Sequence, residues 1–128
     1  MSRSTPGSRS AARSGNAPYC PDAGDFVWLQ LNPQVGTEQA GRRPALVLSP
    51  REYNQKVRHC IACPTTNRAK GYPFEVAIPN GFAVSGVVLA DQIKCLSWEM
   101  RGAEFIAVAP GPLVAEVRAK LKALLAIP

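Results

Sequence analysis

The chain has 128 residues, 46% of them hydrophobic, which suffices for one core and leaves no room for a second catalytic domain. Fifteen Lys and Arg against nine acidic residues give a net charge of +6, which points to a polyanionic partner but names no reaction. No apolar run approaches the ~20 residues of a membrane span and no apolar signal-peptide core follows the N-terminal arginines, so a cytosolic chain with four reduced cysteines is expected.

Residues 1–18 are rich in Ser, Arg, Gly, Ala and Pro, with no large apolar side chain after Met1. Such a segment buries too little surface to offset its ordering entropy, which predicts a disordered extension ahead of one folded domain over 19–128. Setting aside Arg3, Arg9 and Arg13 leaves 12 basic against 9 acidic residues, so any nucleic-acid reading depends on where the remaining charges lie.

The first strand is Phe26-Val27-Trp28-Leu29-Gln30-Leu31, β-branched and aromatic, ended by the turn signal Asn32-Pro33. A polar, glycine-punctuated loop follows from Gly36 to Arg43. Ala45 to Leu48 is then a short apolar run between Pro44 and Pro50, which suits a strand buried on both faces. Pro44 pushes Arg43 toward extended backbone, so the guanidinium leaves the loop-to-strand junction from a defined position. On these residues alone, Glu38, Arg42 and Arg43 read as solvated loop charges.

Arg51 to Arg58 is a polar connector with room for a short helical turn, and Cys60 to Cys63 is the third strand. Cys60 and Cys63 have metal-site spacing, but strand positions three apart point to opposite faces and no second Cys-x-x-Cys completes a tetrad, so no metal is implied. His59 is the only histidine, which removes a two-imidazole mechanism; it reads as structural or solvent-facing. Phe74 to Ile78, bounded by Pro73 and Pro79 and followed by the turn dipeptide Asn80-Gly81, is the fourth strand. Val87 to Ile93 is the fifth and Phe105 to Val108 the sixth. Short, closely spaced strands with Pro and Gly between them argue for a small antiparallel barrel. Pro112 suits the first turn of a helix, and Val114, Val117, Leu121, Leu124 and Leu125 recur with helical spacing after it. The fold class is mainly β with one C-terminal α-helix packed on the barrel. The chain has no Gly-rich phosphate loop, HExxH or Gly-x-Ser-x-Gly, which weighs against nucleotide hydrolases, zinc proteases and serine hydrolases.

Four ordered blocks carry a family resemblance. Gly36-Thr37-Glu38-Gln39-Ala40-Gly41-Arg42-Arg43-Pro44 resembles the signature of the MazF/PemK/Kid family of toxin endoribonucleases, and Lys70-Gly71-Tyr72-Pro73-Phe74-Glu75-Val76 resembles a second family block. Pro21 to Trp28 looks like the family's opening strand and Leu89 to Lys94 like its late strand. The resemblance is to the MazF type and runs from about Tyr19 to near the C-terminus. It implies a small SH3-like barrel of the PemK/CcdB toxin type and a sequence-selective, metal-independent endoribonuclease without a cofactor. That enzyme would act on single-stranded mRNA, leave a cyclic phosphate and a 5′-hydroxyl, work as a homodimer, and be neutralised by a separate MazE-like antitoxin. No membrane partner is implied.

Transfer through an RNA 2′-hydroxyl needs a base, a cation or donor for the phosphorane, and an acid for the leaving oxygen. By resemblance, Arg43 and Thr66 hold the positions of the family's catalytic arginine and threonine, with Thr65 the alternative if the loop is shifted by one. A guanidinium stays protonated at physiological pH, so Arg43 is assigned to electrostatic stabilisation, with proton transfer by it the alternative. Glu38 is the candidate base. Lys70, Gln92, Thr37 and Thr65 are the RNA-binding candidates, and Asp91 is placed to orient a neighbour or line the groove. Trp28 and Tyr72 can stack on bases but read first as core or subunit-contact residues. Two other readings stay open: a gyrase-binding toxin of the same fold that makes no cut, and a catalytically inactive RNA-binding relative.

Overall fold

The computed structural model describes residues 19–32 and 41–128. The expected extension 1–18 lies outside the described residues, and so do Thr37 and Glu38. The elements in order are β1 (Asp25–Gln30), β2 (Arg42–Val47), α1 (Arg51–Val57), β3 (Cys60–Thr66), β4 (Glu75–Ala77), β5 (Val87–Leu89), a 3₁₀ turn (Ala90–Gln92), β6 (Lys94–Leu96), β7 (Glu104–Val108) and α2 (Gly111–Leu124).

Among the described residues the pairing runs β4-β5-β3-β2-β1-β7, with β6 also on β3, and each of these pairs is antiparallel. The mainly β architecture with a C-terminal helix is as expected. Closure is not: β4 and β7 end the order without pairing to each other, so the sheet is open. The apolar run Val87 to Ile93 also divides where one strand was expected. Its first part pairs with the end of β3, through Thr66↔Val87 and Thr65↔Val88. The 3₁₀ turn then buries Ala90, whose N–H reaches Phe74 O at 3.1 Å, and β6 rejoins the start of β3 through Cys60↔Leu96. Periodicity cannot distinguish one buried strand from two that share a neighbour.

The central strands are buried on both faces. Phe26, Leu46, Leu48 and Cys63 join Leu113, Val117 and Leu121 of α2 in one cluster, while Val27, Leu29, Ala45, Val47, Cys60 and Ala62 meet Cys20 and Trp98 in another. Cys60 and Cys63 therefore point in opposite directions, and burial pushes each thiol up to about 12, which makes both poor nucleophiles. The buried stripe of α2 is Leu113, Val117 and Leu121, with Val114 half-buried beside it; the expected Leu124 and Leu125 lie at the helix end and are exposed. Truncating one such buried Leu to Ala typically costs ~2–5 kcal/mol, so these two clusters carry much of the stability.

The polar connector after β2 forms two turns of helix, closed by Arg58 at φ 59. Its Asn54 is fully buried with its amide satisfied: Oδ1 accepts from Ser49 Oγ at 2.7 Å, and Nδ2 donates to Pro21 O at 2.9 Å and Ser49 O at 3.0 Å. Its carbonyl accepts from Trp98 Nε1 at 2.9 Å. The Asn54 side chain thus ties the N-terminal segment to α1, and its backbone carbonyl ties α1 to the β6–β7 connection.

Candidate functional site

The site lies where β2 and β3 part. Their ladder pairs Val47↔Ala62, Leu46↔Cys63 and Ala45↔Pro64. Pro44, next in register opposite Thr65, lacks the N–H that a continuing ladder would use. Beyond this point β2 is held by β1 alone, through Trp28↔Pro44, Leu29↔Arg43 and Gln30↔Arg42. Extending the register by two residues sets Arg43 opposite Thr66, and opposed residues of antiparallel strands project to the same side. The buried Thr65 hydroxyl donates to Pro44 O at 2.9 Å, standing in for the missing ladder bond.

Alternation along β2 separates two neighbouring arginines. Arg42 is engaged structurally: its Nη2 donates to Gly102 O at 3.0 Å and pairs with the Glu104 carboxylate. Arg43 is exposed and its guanidinium has no hydrogen bond or ion pair with any described residue. Thr66 is half-buried, and its Oγ1 accepts the Arg68 N–H at 3.1 Å. That is the ordinary turn role of a threonine, yet it uses the oxygen as acceptor and leaves the hydroxyl hydrogen able to donate.

Gly86 fixes the backbone under Thr66. At φ +97, a Cβ here would stand 2.2 Å from Thr66 O and 2.9 Å from Asn67 Oδ1. Gly81, at φ +83, has nothing within 4 Å of such a Cβ. Gly86→Ala should therefore lower the melting temperature more than Gly81→Ala, because strained backbone costs ~1–3 kcal/mol and only at Gly86 does the added Cβ also clash with backbone, at the end of β3 that carries Thr66. Thermal unfolding of the two variants side by side checks this; equal losses would show that the contact is relieved without moving Thr66.

Two clefts meet at this point. The larger, about 620 Å³, is lined by Trp28, Arg43, Pro44, Thr66 and Arg68, with Thr65 at its floor. The smaller, about 290 Å³, is lined by Arg43, Thr66, Arg68, Lys70, Tyr72, Glu75, Asp91 and Gln92. The structure thus brings Arg43, Thr66, Lys70 and Gln92 together. The sequence reading missed Arg68, which lines both clefts, and Glu75, whose carboxylate accepts the Lys70 and Gly71 N–H groups. Of the two readings of Trp28 and Tyr72, core or subunit contact, the first is overturned: they are 40% and 59% exposed and line the clefts. Trp28 lies two residues along β1 from Phe26 but outside the cluster that α2 seals. His59 is exposed and lines neither cleft.

A third cleft, about 630 Å³, lies between α1 and the start of α2. Its two arginines are engaged, Arg51 with Asp22 and Arg118 with Leu48 O. Among the described residues no group of three or more His, Cys, Asp or Glu is arranged to hold a metal ion, and no helix is long and apolar enough to cross a membrane.

The family described as PemK-like, MazF-like toxin of type II toxin-antitoxin system matches residues 22–125. The chain is 52% identical to the endoribonuclease toxin MazF of Escherichia coli strain K12 over 85 residues, 66% of this chain and 76% of the relative. A crystal structure of MazF from Deinococcus radiodurans is similar at 58% identity and a TM-score of 0.78, covering 85% of this chain and 99% of that one. A MazE-MazF crystal structure from the same organism is similar at 53% identity and a TM-score of 0.77, covering 86% of this chain and 99% of that one.

Proposed function

The chain belongs to the PemK-like, MazF-like toxin family of type II toxin-antitoxin systems, and on that premise we propose that the cleft at the parting of β2 and β3 binds single-stranded RNA and cuts it with sequence preference. One observation carries the proposal: an exposed arginine without a partner among the described residues stands across from a threonine whose hydroxyl hydrogen is not engaged.

In the reaction, the ribose 2′-oxygen attacks the adjacent phosphorus while its proton passes to a base, the bond from phosphorus to the 5′-oxygen breaks, and that oxygen gains a proton. The products are a 2′,3′-cyclic phosphate and a 5′-hydroxyl. Negative charge builds on the non-bridging oxygens at the phosphorane, and a donor already in place there is worth more than one that must reorient. Arg43 supplies the charge and Thr66 a hydroxyl donor, while Glu38 takes the 2′-proton. Lys70 contacts a flanking phosphate, Gln92 reads a base edge, and Trp28 and Tyr72 offer exposed rings on which unpaired bases stack. Thr65 acts from beneath by holding Pro44. Thr37, beside Glu38 in the loop, contacts the RNA backbone.

The active form is a homodimer, and its antitoxin is a separate MazE-like chain whose acidic segment covers the same cationic cleft. The MazE-MazF complex of the Deinococcus relative supports this reading, as does a wall bearing Arg43, Arg68 and Lys70. Since the positive charge comes from Arg43, cleavage of a long RNA should persist in excess EDTA, with 5′ ends recurring at one short sequence. Intact RNA after prolonged incubation would make the protein a non-catalytic binder, and cleavage lost with EDTA would give the charge to a metal.

A further inference from the structure

Glu75 is a carboxylate in the wall of a cleft assigned to a polyanion. Its oxygens are spent on backbone: Oε1 accepts from Gly71 N at 2.9 Å and Lys70 N at 3.2 Å, and Oε2 from Lys70 N at 2.9 Å. Gly71 sits at φ 79, and a residue in this region turns successive N–H groups toward one anion. The Glu75 N–H reaches back to Tyr72 O at 3.1 Å, so the segment closes on itself. Lys70 and Tyr72 are both exposed, with the Lys70 ammonium 5.9 Å from the Tyr72 ring centroid.

We propose that Glu75 is a positioning residue for RNA binding: its carboxylate fills the nest formed by the Lys70 and Gly71 amides and so fixes Lys70 and Tyr72 at the mouth of the cleft, where they take a phosphate and a base of single-stranded RNA. The inference rests on the RNA-cleft reading above. It makes a prediction opposite in sign to simple electrostatics. A carboxylate beside phosphates repels them, so neutralising it should tighten RNA binding. A carboxylate that holds Lys70 in place should instead weaken binding when lost, because glutamine has one acceptor oxygen and would turn its own N–H₂ toward backbone donors.

The test measures the affinity of an RNA carrying a 2′-deoxy group at the cut site for the wild type, Glu75→Gln, Lys70→Met and the double variant, across a salt series. Glu75→Gln should weaken binding about tenfold and flatten the salt slope by ~0.7, the share of one single-strand phosphate. The double variant should bind little worse than Lys70→Met, and the single-turnover rate at saturating RNA should stay within about twofold, because positioning of a flanking contact is read in KM. Equal or tighter binding by Glu75→Gln, or losses that add in full, overturns the positioning role while leaving the cleft reading intact. Unchanged affinity in Lys70→Met overturns the Lys70 contact and the inference with it, whereas the cleft reading is tested separately, by whether the wild type cuts a long RNA. Should Glu75→Gln lose its fold, Gly71→Ala tests the same nest with no change of charge: nothing lies within 4 Å of the added Cβ, and only the positive φ is opposed. Wild-type affinity in that variant would overturn the proposal.

Discussion

Arg43→Ala should stop RNA cleavage while the protein melts within a degree or two of the wild type. The stability half follows because the guanidinium is exposed and engages no described residue, so its removal orphans no buried partner. The kinetic half follows from where the charge stands, across from Thr66 and at the junction of both clefts. Losing one preorganised donor to a developing oxyanion costs ~10²–10³-fold, and losing a full positive charge at a phosphoryl centre reaches ~10³–10⁵-fold. Arg43→Lys should fall between, since an ammonium keeps the charge but not the forked donor geometry. Single-turnover cleavage beside thermal unfolding separates the two halves. Near-normal cleavage in Arg43→Ala would move the catalytic charge elsewhere, with Arg68 next to be tried.

Glu38→Gln should slow cleavage by ~10²–10⁴-fold, the range for a general base, and leave RNA affinity unchanged or slightly higher. Glutamine keeps the size and much of the hydrogen bonding of the side chain but cannot take the 2′-hydroxyl proton. Binding of the 2′-deoxy analogue, measured beside single-turnover rates, distinguishes lost chemistry from lost binding. An unchanged rate would remove Glu38 from proton transfer and return that role to Arg43 or solvent. Equal losses of rate and affinity would make it a binding residue instead.

The legible parts of this chain were those set by local covalent geometry. The apolar run Ala45 to Leu48 marked a strand buried on both faces, but its bounds differ: β2 starts at Arg42, with Pro44 inside it because pairing to β1 extends that far, and ends at Val47. Pro112 and the apolar spacing marked the last helix. That Arg43 and Thr66 line the same clefts was reached only through family resemblance, because it follows from where two strands part and no local rule fixes register. Asn54 hid in a polar stretch because a polar residue looks solvated until its partners are known. Trp28 was misread for the converse reason: the same alternation that buries Phe26 would bury it too, had the helix covered that end of the sheet. Arg68 and Glu75 carried weaker signals, a lone cation two residues after Thr66 and a carboxylate four residues after a glycine. Neither acquires meaning until the loop between β3 and β4 is seen to fold toward the cleft.

The opposed burial of Cys60 and Cys63 also supplies two clocks in one strand. Each thiol is screened by a different layer, Cys60 by the cluster around Trp98 and Cys63 by the cluster under α2. A thiol reagent can reach either sulfur only when its own layer opens, so labelling rates at the two positions report separately on the free energies of opening the two sides. If α2 lifts alone, Cys63 is modified and Cys60 is spared. If the sheet comes apart as one unit, both are modified at one rate, and an antitoxin that clamps a single face would slow one sulfur and leave its neighbour three residues away unchanged.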